Sequence, residues 1–246
     1  KSEFFKPKLD RAFLISIVKQ SYPYALLVLL MSFYSRIDTV MLERLLPYVT
    51  VQSGIYAQAF RLLDAATMVP FLFASLLLPI FSRMIKMGDS INDLLGLAFN
   101  LLFAVSFALT ISCIVYREQV MDLLYVHHPM ESSSVLALLM VSFLFISSIY
   151  IFGTLLTANG SLRHLNFISI LGVVVNILLN LILIPQYKVI GAAIASLSTQ
   201  GLIVILQLFV VYRIFQIRIL TNKVASFIAF FAGAVVLTIF VDKLIT

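Results

Sequence analysis

Residues 34–45 read YSRIDTVMLERL and close an apolar run that begins with YALLVLLMSF. A helix needs about 20 mainly apolar residues to cross a bilayer, and this run supplies them. Yet Arg36 and Asp38 lie well inside it. Charge at that depth is costly, and an ionisable residue within a span is a functional candidate for that reason. On an α-helix the two positions are about 200° apart, so they cannot satisfy each other. Each needs a partner on another helix.

The next apolar run, SGIYAQAFRLLDAATMVPFLF, carries Arg61 and Asp64 at i, i+3 on one face. Counting about 1.5 Å per residue puts Arg36 about 18 Å in from Tyr24 and Arg61 about 12 Å in from Ser53. In a hydrocarbon core of about 30 Å these depths coincide. The expectation is a buried group of four charges with no net charge, in which Asp38 leans towards Arg61 and Arg36 faces a cavity. Such a group can act as a packing device that locks two helices together. It can equally line a wet cavity that handles a polar or anionic substrate.

The rest of the chain places these runs in a membrane. Hydrophobic residues form 62% of the 246 and charged residues 11%, whereas a soluble domain is closer to half and a quarter. Mean hydropathy is +1.09. The expected fold is an all-α, polytopic membrane bundle of about seven transmembrane helices, at about 22–45, 52–83, 92–116, 133–158, 163–185, 189–214 and 223–242. Pro70 and Pro79 predict a kink in the second. Turn chemistry separates the spans, as in TANGSLRH and IPQYKVIG. Nothing alternates with the period of barrel strands. The organisation expected is a basic cytoplasmic linker or surface helix over 1–21, a six-helix bundle over 22–215 and an additional span within 216–246.

Loop charge sets the expected orientation. With the N-terminus inside, eleven Lys and Arg fall on the cytoplasmic side and four outside, as the positive-inside rule favours. This orientation argues against a rhodopsin-like receptor. The basic balance then reflects topology and anionic lipid, and no aromatic–basic groove calls for nucleic acid. Cys113 is the only cysteine. His127 and His128 sit in a polar loop without cysteine nearby, so no metal site is expected. No phosphate loop, catalytic carboxylate pair or nucleophile motif appears, so neither an enzyme nor a cofactor is expected. Asn176 and Asn180, at i, i+4, share a face. They are secondary polar candidates for a neighbouring helix or a cavity. Gly191, Ala192, Ala195 and Ser198 are small enough for close helix approach. The chain opens on Lys1, which together with the odd number of spans predicts a piece of a longer protein.

Two stretches carry a family resemblance. The first pairs R-x-D-x-x-M-L (Arg36, Asp38, Met41, Leu42) with G-x-Y-x-x-A-x-R-L (Gly54, Tyr56, Ala59, Arg61, Leu62) and L-P-x-x-S (Leu78, Pro79, Ser82). The second has Asn176 and Asn180, then Ile184-Pro185, then the run from Gly191 to Ala195. In order and spacing these resemble the second half of polysaccharide flippases of the multidrug/oligosaccharidyl-lipid/polysaccharide (MOP) exporter superfamily. Where that family often has glycine, this chain has Lys188. The resemblance implies two six-helix bundles, the N-terminal one missing here, in a bacterial cytoplasmic membrane. It also implies a flippase that moves a lipid-linked oligosaccharide or polysaccharide precursor by alternating access. Arg36 and Arg61 would then meet the pyrophosphate of a polyprenyl-pyrophosphate-linked glycan, with Asp38 and Asp64 as charge partners or ion-coupling groups. The alternatives are a drug or cation exporter of the same superfamily, or a non-transporting membrane subunit of glycan assembly.

Overall fold

The computed structural model describes residues 11–46 and 49–216. They form helices α1 (Arg11–Leu45), α2 (Val49–Met87), α3 (Asn92–Val115), α4 (Arg117–Leu124), α5 (Pro129–Ala158) and α6 (Leu162–Phe215), with no strand among the described residues. Every helix except α4 is long and apolar enough to cross a membrane. The segment 1–10 and the seventh span expected at 223–242 lie outside the described residues.

α6 is 54 residues long, about 80 Å if it were straight, but it is two helices joined by a reversal. Lys188 leaves helical geometry at φ 53°, ψ −129°. The chain then doubles back: a Cβ placed on Gly191 would lie 2.3 Å from the carbonyl oxygen of Leu183, and one on Gly172 would lie 2.8 Å from Ile203 Cδ1. The two arms, 162–187 and 189–215, are therefore antiparallel and almost in backbone contact at the turn. This is the break expected at IPQYKVIG, and it brings the described residues to six crossings.

The backbone at Lys188 matches the first central position of a type II′ turn, which ordinarily belongs to glycine. A side chain there stores strain. Lys188→Gly is expected to stabilise the lobe by about 1 kcal/mol, the relieved strain outweighing glycine's extra chain entropy. A rise in the thermal midpoint of the detergent-solubilised protein would show this. An unchanged or lower midpoint would show that the turn is unstrained.

α1 differs from its expected bounds. One helix runs from Arg11 through Pro23, so the linker and the first span are continuous. Its described side chains up to Tyr22 are all exposed. Beyond Pro23 it lies parallel to the first arm of α6, in a register fixed twice. Asn166 Nδ2 donates to Pro23 O at 2.9 Å, and Asn180 Nδ2 donates to Asp38 Oδ1 at 2.6 Å. The sequence offsets are 143 and 142, so the two helices keep step over four turns. α2 runs as one helix through Pro70 and Pro79.

In lipid, packing and interhelical hydrogen bonds replace the hydrophobic effect as the force between helices. Ser106 Oγ donates to Ser147 Oγ at 2.8 Å and Thr110 Oγ1 to Met140 O at 3.0 Å, which holds α3 antiparallel to α5. The core divides along the bundle axis. Phe81, Leu95, Phe152 and Leu155 fill the end near Arg11. Leu42, Tyr56, Phe143 and Ala192 fill the end near Lys188.

Candidate functional site

The four intramembrane charges occupy two separate environments. Arg36 turns outward from α1, and its Nη2 donates to Asp64 Oδ2 on α2 at 2.8 Å. The guanidinium also sits 5.0 Å from the centre of the Phe60 ring, a cation–π geometry. The pair remains open, with side-chain exposures of 63% and 42%. Beside it a groove of about 630 Å³ follows one face of α1, lined by Val28, Leu29, Phe33, Arg36, Ile37 and Val40 among others. The groove is apolar over most of its length, and Arg36 is the one charged side chain in its lining.

Asp38 faces the opposite way and is fully buried. Tyr56 Oη donates to its Oδ2 at 2.9 Å, and Asn180 Nδ2 to its Oδ1 at 2.6 Å. The same Asn180 nitrogen also donates to Asn176 Oδ1 at 3.0 Å. Ser196, on the second arm of α6, completes the shell. Four helical segments thus converge on one carboxylate. They place no cation beside it among the described residues.

This corrects the expected pairing. Asp38 does not lean on Arg61; its partners are a phenol and an amide. Arg61 is exposed on α2 and forms no ion pair among the described residues. The cation at Arg36 is answered by Asp64 instead. A net-neutral quartet is replaced by an open ion pair, a free arginine and a buried carboxylate held by neutral donors. The physical reason is the 200° between positions 36 and 38: when one faces the open side of α1, the other must enter the bundle.

Asn176 and Asn180 do share a face, and that face meets Asp38. Asn180 Oδ1 and Asn176 Nδ2 are buried without a partner, so the box keeps an unused acceptor and an unused donor. Tyr56 and Ser196 were not marked as site residues by their local sequence. Tyr56 lies one helical turn before Phe60 and at the depth of Asp38, which is the signal that identifies it afterwards. Ser196 looks like any small packing residue until the hairpin folds back.

No protein-family model matches the chain. Over 203 residues it is 25% identical to an uncharacterized membrane protein of Methanocaldococcus jannaschii, covering 82% of this chain and 47% of that protein. Among solved structures it resembles a MOP superfamily transporter from Pyrococcus furiosus, for which a reversed polarity of the binding pocket suggests a different function. That match has a TM-score of 0.61 at 20% identity and covers 81% of this chain and 44% of the other. An outward-facing multidrug resistance MATE family transporter of the MOP superfamily gives the same values. MATE in its bent conformation gives 0.61 at 19% identity, with the same coverage. The chain therefore spans less than half the length of the proteins it matches, and its fold is that of part of a MOP superfamily transporter.

Proposed function

We propose that this chain is one lobe, the second, of an alternating-access transporter that moves a lipid-linked oligosaccharide or polysaccharide precursor across a cytoplasmic membrane. The observation that carries the reading is the separation of an exposed cation from a buried carboxylate on one helix, two residues apart. In this arrangement Arg36 is the substrate contact. Guanidinium makes strong forked bonds to phosphate oxygens, and the apolar groove beside it suits a hydrocarbon tail. Asp64 holds Arg36 in place between substrates, and Arg61, one turn away on α2, adds positive charge at the same mouth. A second lobe rocking against this one would expose the site to each side in turn.

Asp38 takes the other role. A carboxylate removed from water without a cation is strongly disfavoured, so the box of Tyr56, Asn176, Asn180 and Ser196 is suited to receive a proton or a monovalent cation. Its occupancy would change how α1 packs on α6 and so bias the rocking equilibrium.

Arg36→Ala in the full-length protein, in a membrane flipping assay with a polyprenyl-pyrophosphate glycan, is expected to reduce transport to background. Protein levels should stay near normal, because the side chain is exposed. Unchanged flipping would remove the substrate role. The drug or cation exporter remains the second reading because Asp64 leaves the mouth acidic as well as basic. In that case Asp64→Asn, rather than Arg36→Ala, would abolish transport.

A further inference from the structure

The corner between α4 and α5 turns large apolar side chains to the outside. Some of its polar groups point inward, while Asp122, His127, His128 and Glu131 stay exposed. Ser132 Oγ donates to Gln58 Oε1 at 2.5 Å, Gln58 Nε2 donates to His127 O at 3.2 Å, and Tyr125 Oη donates to Gln58 O at 3.4 Å. Met121 is fully buried beneath them against the Leu42 and Tyr56 core. The large apolar side chains point out: Leu123 is 85% exposed, Val126 91% and Met130 75%. A water-facing loop normally shows the opposite arrangement, and apolar side chains clustered at a surface mark an interaction site.

We propose that residues 123–130 are seated in the headgroup layer of the bilayer, where Leu123, Val126 and Met130 insert among the upper acyl chains. Continuity with the membrane belt identifies lipid as the occupant. The outward side chains of α3, namely Leu101, Val105, Ile111 and Val115, are exposed on a helix that crosses the membrane, and they run up to this corner. The hydrogen bonds of Ser106 and Thr110 to α5 fix α3 antiparallel to it. α4 continues that course to the first turn of α5, at the same end of the lobe as the Lys188 turn. The mixture of charge and apolar surface also fits this layer and not the hydrocarbon. Glu118, Asp122 and His127 are exposed within the same segment, as is Tyr116, and amphipathic segments of this kind settle about 5–10 Å into the headgroup boundary. Gln58 ties the corner to α2, so the bilayer surface would hold this end of α2 and α5 at a fixed height.

The chain has no tryptophan, so a single introduced one reports on its own surroundings. Leu123→Trp and Val126→Trp, in the full-length protein with any tryptophan outside these 246 residues replaced by phenylalanine and reconstituted into phosphatidylcholine vesicles, are expected to emit in the blue. Lipid brominated near the headgroup should quench them strongly, and lipid brominated deep in the acyl chain more weakly. Ser90→Trp, in the loop at the opposite end, is the solvent reference and should be quenched by aqueous iodide. Should either corner variant lose its fold, Met130→Trp replaces it. Iodide quenching with no response to brominated lipid would place the corner in water and overturn the proposal. Blue emission that answers neither quencher would mean that protein covers the corner, and would overturn it equally.

Discussion

Gly191→Ala is expected to prevent the α6 hairpin from closing and to cost about 3 kcal/mol or more, beyond the usual range for overpacking. The added Cβ would fall 2.3 Å from Leu183 O and 2.6 Å from Leu183 C. Both are backbone atoms and cannot rotate away. The turn at Lys188 is three residues off, so the arms cannot separate without releasing Asn180 from Asp38 and Ser196 from the same box. Two other glycines calibrate the effect. Gly172→Ala meets the flexible end of Ile203 at 2.8 Å and should cost about 1 kcal/mol, at the low end of the overpacking range. Gly54→Ala meets nothing within 4 Å and, inside a helix, should stabilise by about 0.5–1 kcal/mol. Thermal midpoints in detergent should fall in that order. Equal midpoints for the Gly191 and Gly54 variants would show that the arms are not in close contact.

Asp38→Asn should abolish gradient-driven transport in the full-length protein while leaving its level and dispersity close to those of the wild type. The replacement keeps the size of the side chain. Its oxygen can still accept the Tyr56 hydroxyl. Its new amide takes the place of the oxygen that faces Asn180 Nδ2, so the Asn180 and Asn176 amides must flip together, which turns the unpartnered Asn180 Oδ1 and Asn176 Nδ2 into acceptor and donor. Only the capacity to hold a positive charge is lost. Asp38→Leu separates the two properties, because it strands the Tyr56 hydroxyl and the Asn180 amide, at about 1–3 kcal/mol for each buried polar group. It should lower protein levels as well as transport. Transport at wild-type rate by the Asp38→Asn protein would exclude the carboxylate from coupling.

These two experiments probe different consequences of one topological fact. α1 meets α6 in parallel register, and the hairpin then brings a second arm to the same carboxylate. The rank of side chains facing Asp38 comes from positions 56, 176, 180 and 196, which no local pattern connects. The strain at Lys188 and the close approach at Gly191 lie at the tip of the same hairpin. The device that closes the box is therefore also its least tolerant point.

Hydropathy is a sum over neighbouring residues, so the local sequence was enough to establish the all-helical membrane class, the crossings from α2 to α5 and the reversal near Lys188. The anomaly of Arg36 and Asp38 inside a span was equally visible, as was the shared face of Asn176 and Asn180, because both follow from helical periodicity alone. The partners were not. Depth along a helix can be counted in residues, but direction around it turns by about 100° at each step. Equal depth therefore left Arg36, Asp38, Arg61 and Asp64 free to pair in more than one way. Only the rotation of α1 against α2 and α6 decided that Arg36 meets Asp64 on the open face while Asp38 enters the bundle. The choice of Asn180 as the donor to Asp38, 142 residues away, required the tertiary structure, since nothing in either segment encodes the register in which two distant helices pack.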